Sequence, residues 1–375
     1  MFFLKKVTIF VCYFCAHKPS YENMNNIEFD PNSIAPDNGN YFGMPCTPEE
    51  AALVLISAPW DITVSLRSGS SYAPDAIIEA SRNIDLHEPM SPGSWRKGIA
   101  TLPIDYSIQD LSHRLRSDAE RVVKAGEEFG VSILNNIMHE RRLRRVNDGS
   151  EAVNATIYNE AAKWYAQNKI VGLVGGDQST AYGAIRAAGE CYEEIGILHI
   201  DSHCDLRECH HGFTHSHSSI MHNVLNDIKE VKKLVSVGVR EFSPAEWERA
   251  EKDERVRLFT GQYLWTQHFE GIVWSKVCDE IIAELPQNVY LSLDIDGLTI
   301  ECSPHTGTLV PGGMRFPEVV YLLSRIVSSG RRIVGFDLTE VVPDMEDKTD
   351  ATIAARLLFK ICSIALRDHE AENIL

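Results

Sequence analysis

What most constrains the fold of this chain is a rhythm. From about residue 50 to the C-terminus, short runs of aliphatic and β-branched residues alternate with longer amphipathic stretches. The short runs, Ala52 to Ala58, Ile170 to Val174, Ile195 to Ile200, Leu234 to Val239, Val289 to Ile295 and Arg332 to Leu338, are mostly apolar throughout, without in-and-out alternation. A strand that can afford no polar face is covered on both sides, which is the situation in a parallel sheet between helical layers. The spacing predicts helices over Pro74 to Ser81, Leu111 to Phe129, Glu151 to Asn168, Ser179 to Cys191, Ser243 to Lys252, Glu270 to Leu285, Phe316 to Ser328 and Thr349 to Leu366. The pattern therefore predicts an α/β fold, a three-layer αβα sandwich on a mainly parallel sheet. No repeat and no Pro/Gly/Ser-rich linker interrupts it after residue 30, so residues 29–375 are expected to form one domain.

Composition narrows the partners. With 36 Lys plus Arg against 53 Asp plus Glu, the formal charge of -17 argues against a nucleic-acid surface or a face for anionic membranes, and suits a small cationic or neutral ligand. Nine scattered cysteines form no disulfide framework and point to a reducing compartment, the cytoplasm. Residues 1–28 read as an N-terminal extension. Lys5 and Lys6 precede the apolar run Val7 to Ala16, which is too short to span a bilayer. It reads either as a secretory signal or as a start placed too early, with Met24 as the true beginning, and the second reading is preferred. Cys12 and Cys15 inside this run are incidental.

The polar residues gather at strand ends, where parallel sheets carry their chemistry. The run ending at Ile200 continues as Asp201-Ser202-His203-Cys204-Asp205. In extended chain Asp201, His203 and Asp205 share a face, while Cys204 points away into the core. The run ending at Leu293 repeats the device with Asp294 and Asp296. A lone aspartate at a strand end is more often a cap or a turn residue. Two same-face clusters are different, because four carboxylates and an imidazole repel one another unless cations lie among them. Mostly oxygen donors with some nitrogen favour a hard ion such as manganese over a structural zinc. A third strand end gives the glycine-rich turn Gly175-Gly176-Asp177-Gln178-Ser179, which lacks the lysine and glycine spacing of a phosphate loop. A fourth leaves Glu340 just past the sheet edge, where an isolated acid reads as a solvated loop residue.

Taken in order, these motifs resemble the ureohydrolase family of arginases, agmatinases and formimidoylglutamases. Gly175 to Ser179 resembles its GGDHS, Asp201 to Asp205 its DAHxD, Ser292 to Asp296 its SxDxD, and Leu338 to Pro343 its acidic loop. The resemblance runs from about Phe29 to Leu366, and Gly212 to Asn223 looks most like the agmatinase branch. It implies an arginase-like fold, two Mn2+ ions per chain bridged by Asp201 and Asp294, Asp205 completing the first ion's shell, and His203 with Asp296 completing the second. It further implies hydrolysis of a C–N bond in a small linear guanidino compound, releasing urea by attack of a hydroxide held between the ions. His217 matches the position that delivers or relays a proton, with His215 in reserve. Glu340 is expected to pair with the cationic substrate nitrogens, and the assembly to be a homotrimer or homohexamer. His199 reads as a satisfied core histidine.

Gln178 departs from the pattern. It stands where the family has the histidine ligand of the first ion, so that ion is expected to be weakly held, hydrated in place of the ligand, or absent. Thr299 and Ile300 replace the usual Asp-Pro after the second aspartate pair, and Ser202 replaces an alanine. Three readings stay open at this point: an agmatine-like amidinohydrolase, a formimidoylglutamase-type hydrolase, and a catalytically silent member of the family.

Overall fold

A computed structural model describes residues 29–64, 67–130 and 136–367. The expected extension over residues 1–28, with Cys12, Cys15 and Met24, lies outside the described residues. The elements run in the order β1 (Leu53–Ala58), α1 (Ala73–Ser81), β2 (Ile99–Thr101), α2 (Tyr106–Phe129), α3 (Ile137–Tyr165), β3 (Ile170–Gly175), α4 (Ala181–Tyr192) and β4 (Ile195–Ile200). They continue with α5 (Ile220–Asp227), β5 (Val231–Val237), α6 (Pro244–Lys252), β6 (Val256–Phe259), α7 (Gly261–Phe269), α8 (Trp274–Ala283), β7 (Asn288–Asp294), α9 (Phe316–Ser328), β8 (Arg332–Thr339) and α10 (Thr349–Ala365).

The eight strands form one sheet in the order β2-β1-β3-β8-β7-β4-β5-β6. Every pairing in it is parallel, which bears out the expected three-layer fold on a parallel sheet. Two consequences follow. All carboxyl ends lie along one edge, and the four strands that end in polar motifs, β3, β8, β7 and β4, are consecutive neighbours there. Motifs more than a hundred residues apart in sequence are thereby placed side by side.

Alternate residues of each strand feed two separate apolar clusters, which is what makes three layers. Leu53, Leu55, Leu198, Ile200, Leu291 and Leu293 pack with α1, α8, α9 and α10 on one face. Val54, Ile56, Ile197, Leu234 and Tyr290 pack with α2, α3, α4 and α5 on the other. Each fully buried aliphatic side chain contributes roughly 1.5–3 kcal/mol against exposure.

The sequence misplaces a few elements for visible reasons. The helix expected over Glu270 to Leu285 starts only at Trp274, because Gly271 takes φ 77° and no helix passes through that conformation, and a further helix, α7, precedes it. Helix α3 begins at Ile137, capped by the Asn136 side chain, well before the expected Glu151. Strands β2 and β6 sit at the two sheet edges.

Around the carboxyl edge the loops are bound tightly to one another. A Cβ at Gly176 would stand 1.7 Å from the Trp60 carbonyl oxygen, so only glycine admits the Pro59-Trp60-Asp61 segment here. The Asp61 carboxylate accepts from the Gly69 N–H at 2.7 Å and from Ser112 Oγ at 3.1 Å. Asn154 of α3 donates to the Ser179 carbonyl at 3.1 Å and accepts from the Gly183 N–H at 3.0 Å, fixing the turn that carries Gln178.

Candidate metal centre

Strands β4 and β7 supply one set of donors. His203 Nδ1 lies 3.2 Å from Asp296 Oδ2 and 3.4 Å from Asp201 Oδ1. Local backbone bonds aim these side chains. The His203 N–H donates to Asp201 Oδ1 at 2.6 Å, the Ser202 N–H to Asp296 Oδ1 at 3.0 Å, and the Asp296 N–H to Asp294 Oδ1 at 2.8 Å. A second set, His199, Asp201 and Asp205, shares Asp201, and within each set the ligand atoms lie within 4.8 Å of one another. Asp294 is buried beside them but belongs to neither set among the described residues.

The charges explain why this arrangement suits a cation. Burial, then the Asp201 charge, pushes the Asp205 carboxyl far above the ordinary carboxylate range. Asp294 is pushed the same way by burial and by Asp296 and Asp201. Burial also opposes the ionised form of Asp201, yet His199 and His203 hold it well below the usual range. Against burial, the Asp296 and Asp201 carboxylates push His203 up to about 12. A crowd of acids that can ionise only where positive charge is supplied, with an imidazole among them, is the donor chemistry of a hard divalent ion. The Asp201, His203 and Asp296 set fits such an ion. The set around Asp205 fits less well, because both nitrogens of His199 already have partners in Asp201 and Ser236 and the Gln178 amide lies against the carboxylates.

Glu340 is buried rather than solvated, which corrects the bland reading of that acid. Its Oε1 accepts the backbone N–H of Gln178 at 2.9 Å, and burial followed by the nearby Asp177 raises its carboxyl well above the ordinary range. Both Asp205 (φ 54°) and Glu340 (φ 60°) adopt the left-handed region, uncommon for residues with a Cβ.

His217 begins a short turn (His217–Ser219) packed against the Gln178–Thr180 turn. Burial, with His210 and His203 adding, pushes its imidazole down to about 3, so it is neutral at physiological pH. Its Nδ1 lies 3.3 Å from Thr63 Oγ1, which in turn lies 3.4 Å from the buried Asp177 carboxylate. His215 is elsewhere, set edge-on against Tyr182 with ring centroids 5.4 Å apart. Cys204 faces the core as expected.

Sequence reasoning missed three participants. His199 is satisfied, its Nε2 2.8 Å from Asp201 Oδ2 and its Nδ1 3.2 Å from Ser236 Oγ, and it also joins the second donor set. The signal was available, since it precedes Asp201 by two residues on the same strand face. Thr63 gave none. Arg240, two residues past Gly238 at the end of β5, donates to the carbonyls of Asp296 at 2.7 Å and Val310 at 2.8 Å, tying the β7 loop to the segment after it. A cavity of about 160 Å³ lies at the opposite edge of the sheet among Ile170, Tyr192, Arg332 and Arg367 and holds none of these groups.

A parallel α/β sheet with paired acid and histidine sets on its carboxyl edge defines the class, and the sequence comparison agrees: the arginase family profile matches residues 51–363, and the chain belongs to that family. Among curated relatives it is similar to an N(1)-aminopropylagmatine ureohydrolase of Thermus thermophilus, 29% identical over 319 residues covering 85% of this chain and 92% of that one. It is also similar to an agmatinase of Bacillus cereus, 26% identical over 308 residues, covering 82% of this chain and 89% of the relative. In fold it resembles the agmatine ureohydrolase of Thermoplasma volcanium, with a TM-score of 0.64 at 22% identity over 87% of this chain and 94% of that structure. Among the described residues, no helix is long and apolar enough to cross a membrane.

Proposed function

We propose that this chain is a manganese-dependent amidinohydrolase that releases urea from a small, linear, cationic guanidino compound of the agmatine type, with residues 29–375 as its single domain. The observation that carries the reading is the pair of donor sets sharing Asp201 on the carboxyl edge of the sheet, in a chain of the arginase family. Relatives named for agmatine and aminopropylagmatine favour a substrate that carries an amine in place of an amino acid's α-groups.

In this reading Asp201, His203 and Asp296 hold a divalent ion, with Asp294 and Asp205 beside them. When bound, such an ion supplies Lewis acidity and draws the pKa of water toward neutrality. Glu340 receives the substrate's cationic nitrogens by charge-assisted hydrogen bonds, and the arriving guanidinium supplies the positive charge that its buried carboxylate lacks. His217, neutral before reaction, accepts the proton that leaves the attacking water and returns it to the departing nitrogen. Thr63 at its Nδ1 orients the ring, leaving Nε2 for that transfer. The excess of acidic residues concentrates a cationic substrate near the site. A homotrimer or homohexamer working in the reducing cytoplasm completes the reading, and the described cysteines, Cys46 to Cys362, are all free thiols.

A substrate panel tests it. Manganese-loaded protein is expected to release urea from agmatine, aminopropylagmatine or guanidinobutyrate, and little from arginine. Formamide from formiminoglutamate would make it a formimidoylglutamase-type hydrolase instead. No turnover of any of these with metal bound would leave the silent reading standing.

A further inference from the structure

Building on the metal-hydrolase reading, we propose that the side-chain amide of Gln178 occupies the place of the first ion, so that the centre holds a single divalent ion at Asp201, His203 and Asp296. The orientation of the amide carries the argument. One end faces two acceptors, Asp205 Oδ2 at 2.5 Å and Asp201 Oδ2 at 3.1 Å. The other faces His199 Nε2, able to donate, at 3.3 Å, and lies 3.3 Å from Ser292 Oγ, whose own hydrogen goes to Asp337. Only with nitrogen toward the carboxylates and oxygen toward His199 are both ends satisfied.

Distance decides against the alternative, in which the amide oxygen and the Asp205 carboxylate both bind an ion. Two oxygens at right angles on an octahedral ion with bonds of ~2.1 Å stand roughly 3 Å apart. The 2.5 Å separation of Gln178 and Asp205 is too short for that; it is shorter even than an ordinary N–H···O bond and sets the two groups in direct contact with no ion between them. An amide oxygen is also a poorer ligand than the imidazole it replaces. Its two N–H groups, by contrast, give each carboxylate one hydrogen-bond donor.

The two oxygens of Asp201 divide the same way. Oδ2 is taken by His199 and by Gln178, whereas Oδ1 faces His203. One oxygen is therefore spent on the amide network and the other is presented to the remaining donor set. The backbone of Gln178 is held by Glu340 Oε1, its turn by Asn154, and the residue is fully buried, so its side chain stays packed against the carboxylates.

The test counts ions. The full chain is equilibrated with Mn2+, passed through a desalting column, and assayed for manganese by mass spectrometry and by electron paramagnetic resonance. We expect one ion per chain with the spectrum of an isolated Mn2+. Gln178→His should raise the count to two and give an exchange-coupled spectrum. Asp205→Asn should leave one ion, and Asp296→Asn should leave none. Two ions in the unaltered protein, no gain in Gln178→His, or an ion lost with Asp205→Asn and kept with Asp296→Asn would each overturn the proposal. Urea release is assayed in parallel and reports on the underlying reading: two ions with activity sink only the single-ion inference, and no metal at all sinks both.

Discussion

At the scale of single residues, the centre is a set of acids whose charge depends on what is placed among them, and His217 is the exception that begins neutral. Its role is separable from metal binding. We expect His217→Ala to lower kcat by roughly 10²–10⁴-fold, the usual worth of a positioned acid–base group, with manganese content unchanged. Retained turnover would remove it from the mechanism, and lost metal would make its role structural. Gly176 offers a second check. Because a methyl group there meets the Trp60 carbonyl at 1.7 Å, Gly176→Ala should destabilise the fold by about 3 kcal/mol or more, read by chemical denaturation. A near-neutral result would mean that the 59–61 loop moves aside cheaply. Asp201 with His203, and Asp294 with Asp296, were legible in the sequence, because strand periodicity puts each pair on one face of its own strand. The same periodicity reaches His199, which its position deeper in the strand made look like core, and it is in fact both. Thr63 and the positive φ of Asp205 and Glu340 left no signal, since they arise where loops from different strands meet.

Among the secondary-structure elements, legibility followed burial. The six central strands are covered on both faces and announce themselves as apolar runs. Strands β2 and β6 are edges of three and four residues, and β6 exposes Arg257, so neither carries enough apolar sequence to stand out. The order of the strands, and with it the meeting of four motifs, is a tertiary fact that no single run contains. Strand β8 also carries an acid without an assigned role. Asp337 is fully buried, accepts from Ser292 Oγ at 3.1 Å, and burial pushes its carboxyl up to about 7. The unfolded chain titrates this group near 3.9, so the folded state binds its proton more tightly. Its contribution to stability is therefore complete below about pH 4, falls as pH rises toward 7, and is flat above. Asp337→Asn cannot ionise. It should match the parent near pH 4 and become more stable than it by about 1–3 kcal/mol at pH 8. A gap that is constant with pH would show that the carboxyl is not titrating in that window.

For the whole molecule, the metal should act as a part of the fold. The edge of the sheet holds buried acids contributed by β3, β4, β7 and β8, and in the absence of positive charge their mutual repulsion opposes closing these loops together. An ion that binds the folded arrangement and not the unfolded chain stabilises it by mass action, about 2.7 kcal/mol when its concentration is a hundredfold above its dissociation constant. For a chain of this length that amounts to a rise of about 3 °C in Tm. The ion competes with protons for the same imidazole and carboxylates, so the rise should shrink on acidification, because ligands must be deprotonated to bind. We therefore expect thermal melts to move upward with added Mn2+ and back with a chelator. The movement should be larger at pH 8 than at pH 6 and absent in Asp296→Asn. A melt indifferent to manganese would mean that the acids are balanced by protons and internal hydrogen bonds alone. One that still responds in Asp296→Asn would move the ion off the strand end that the shared Asp201 geometry selects.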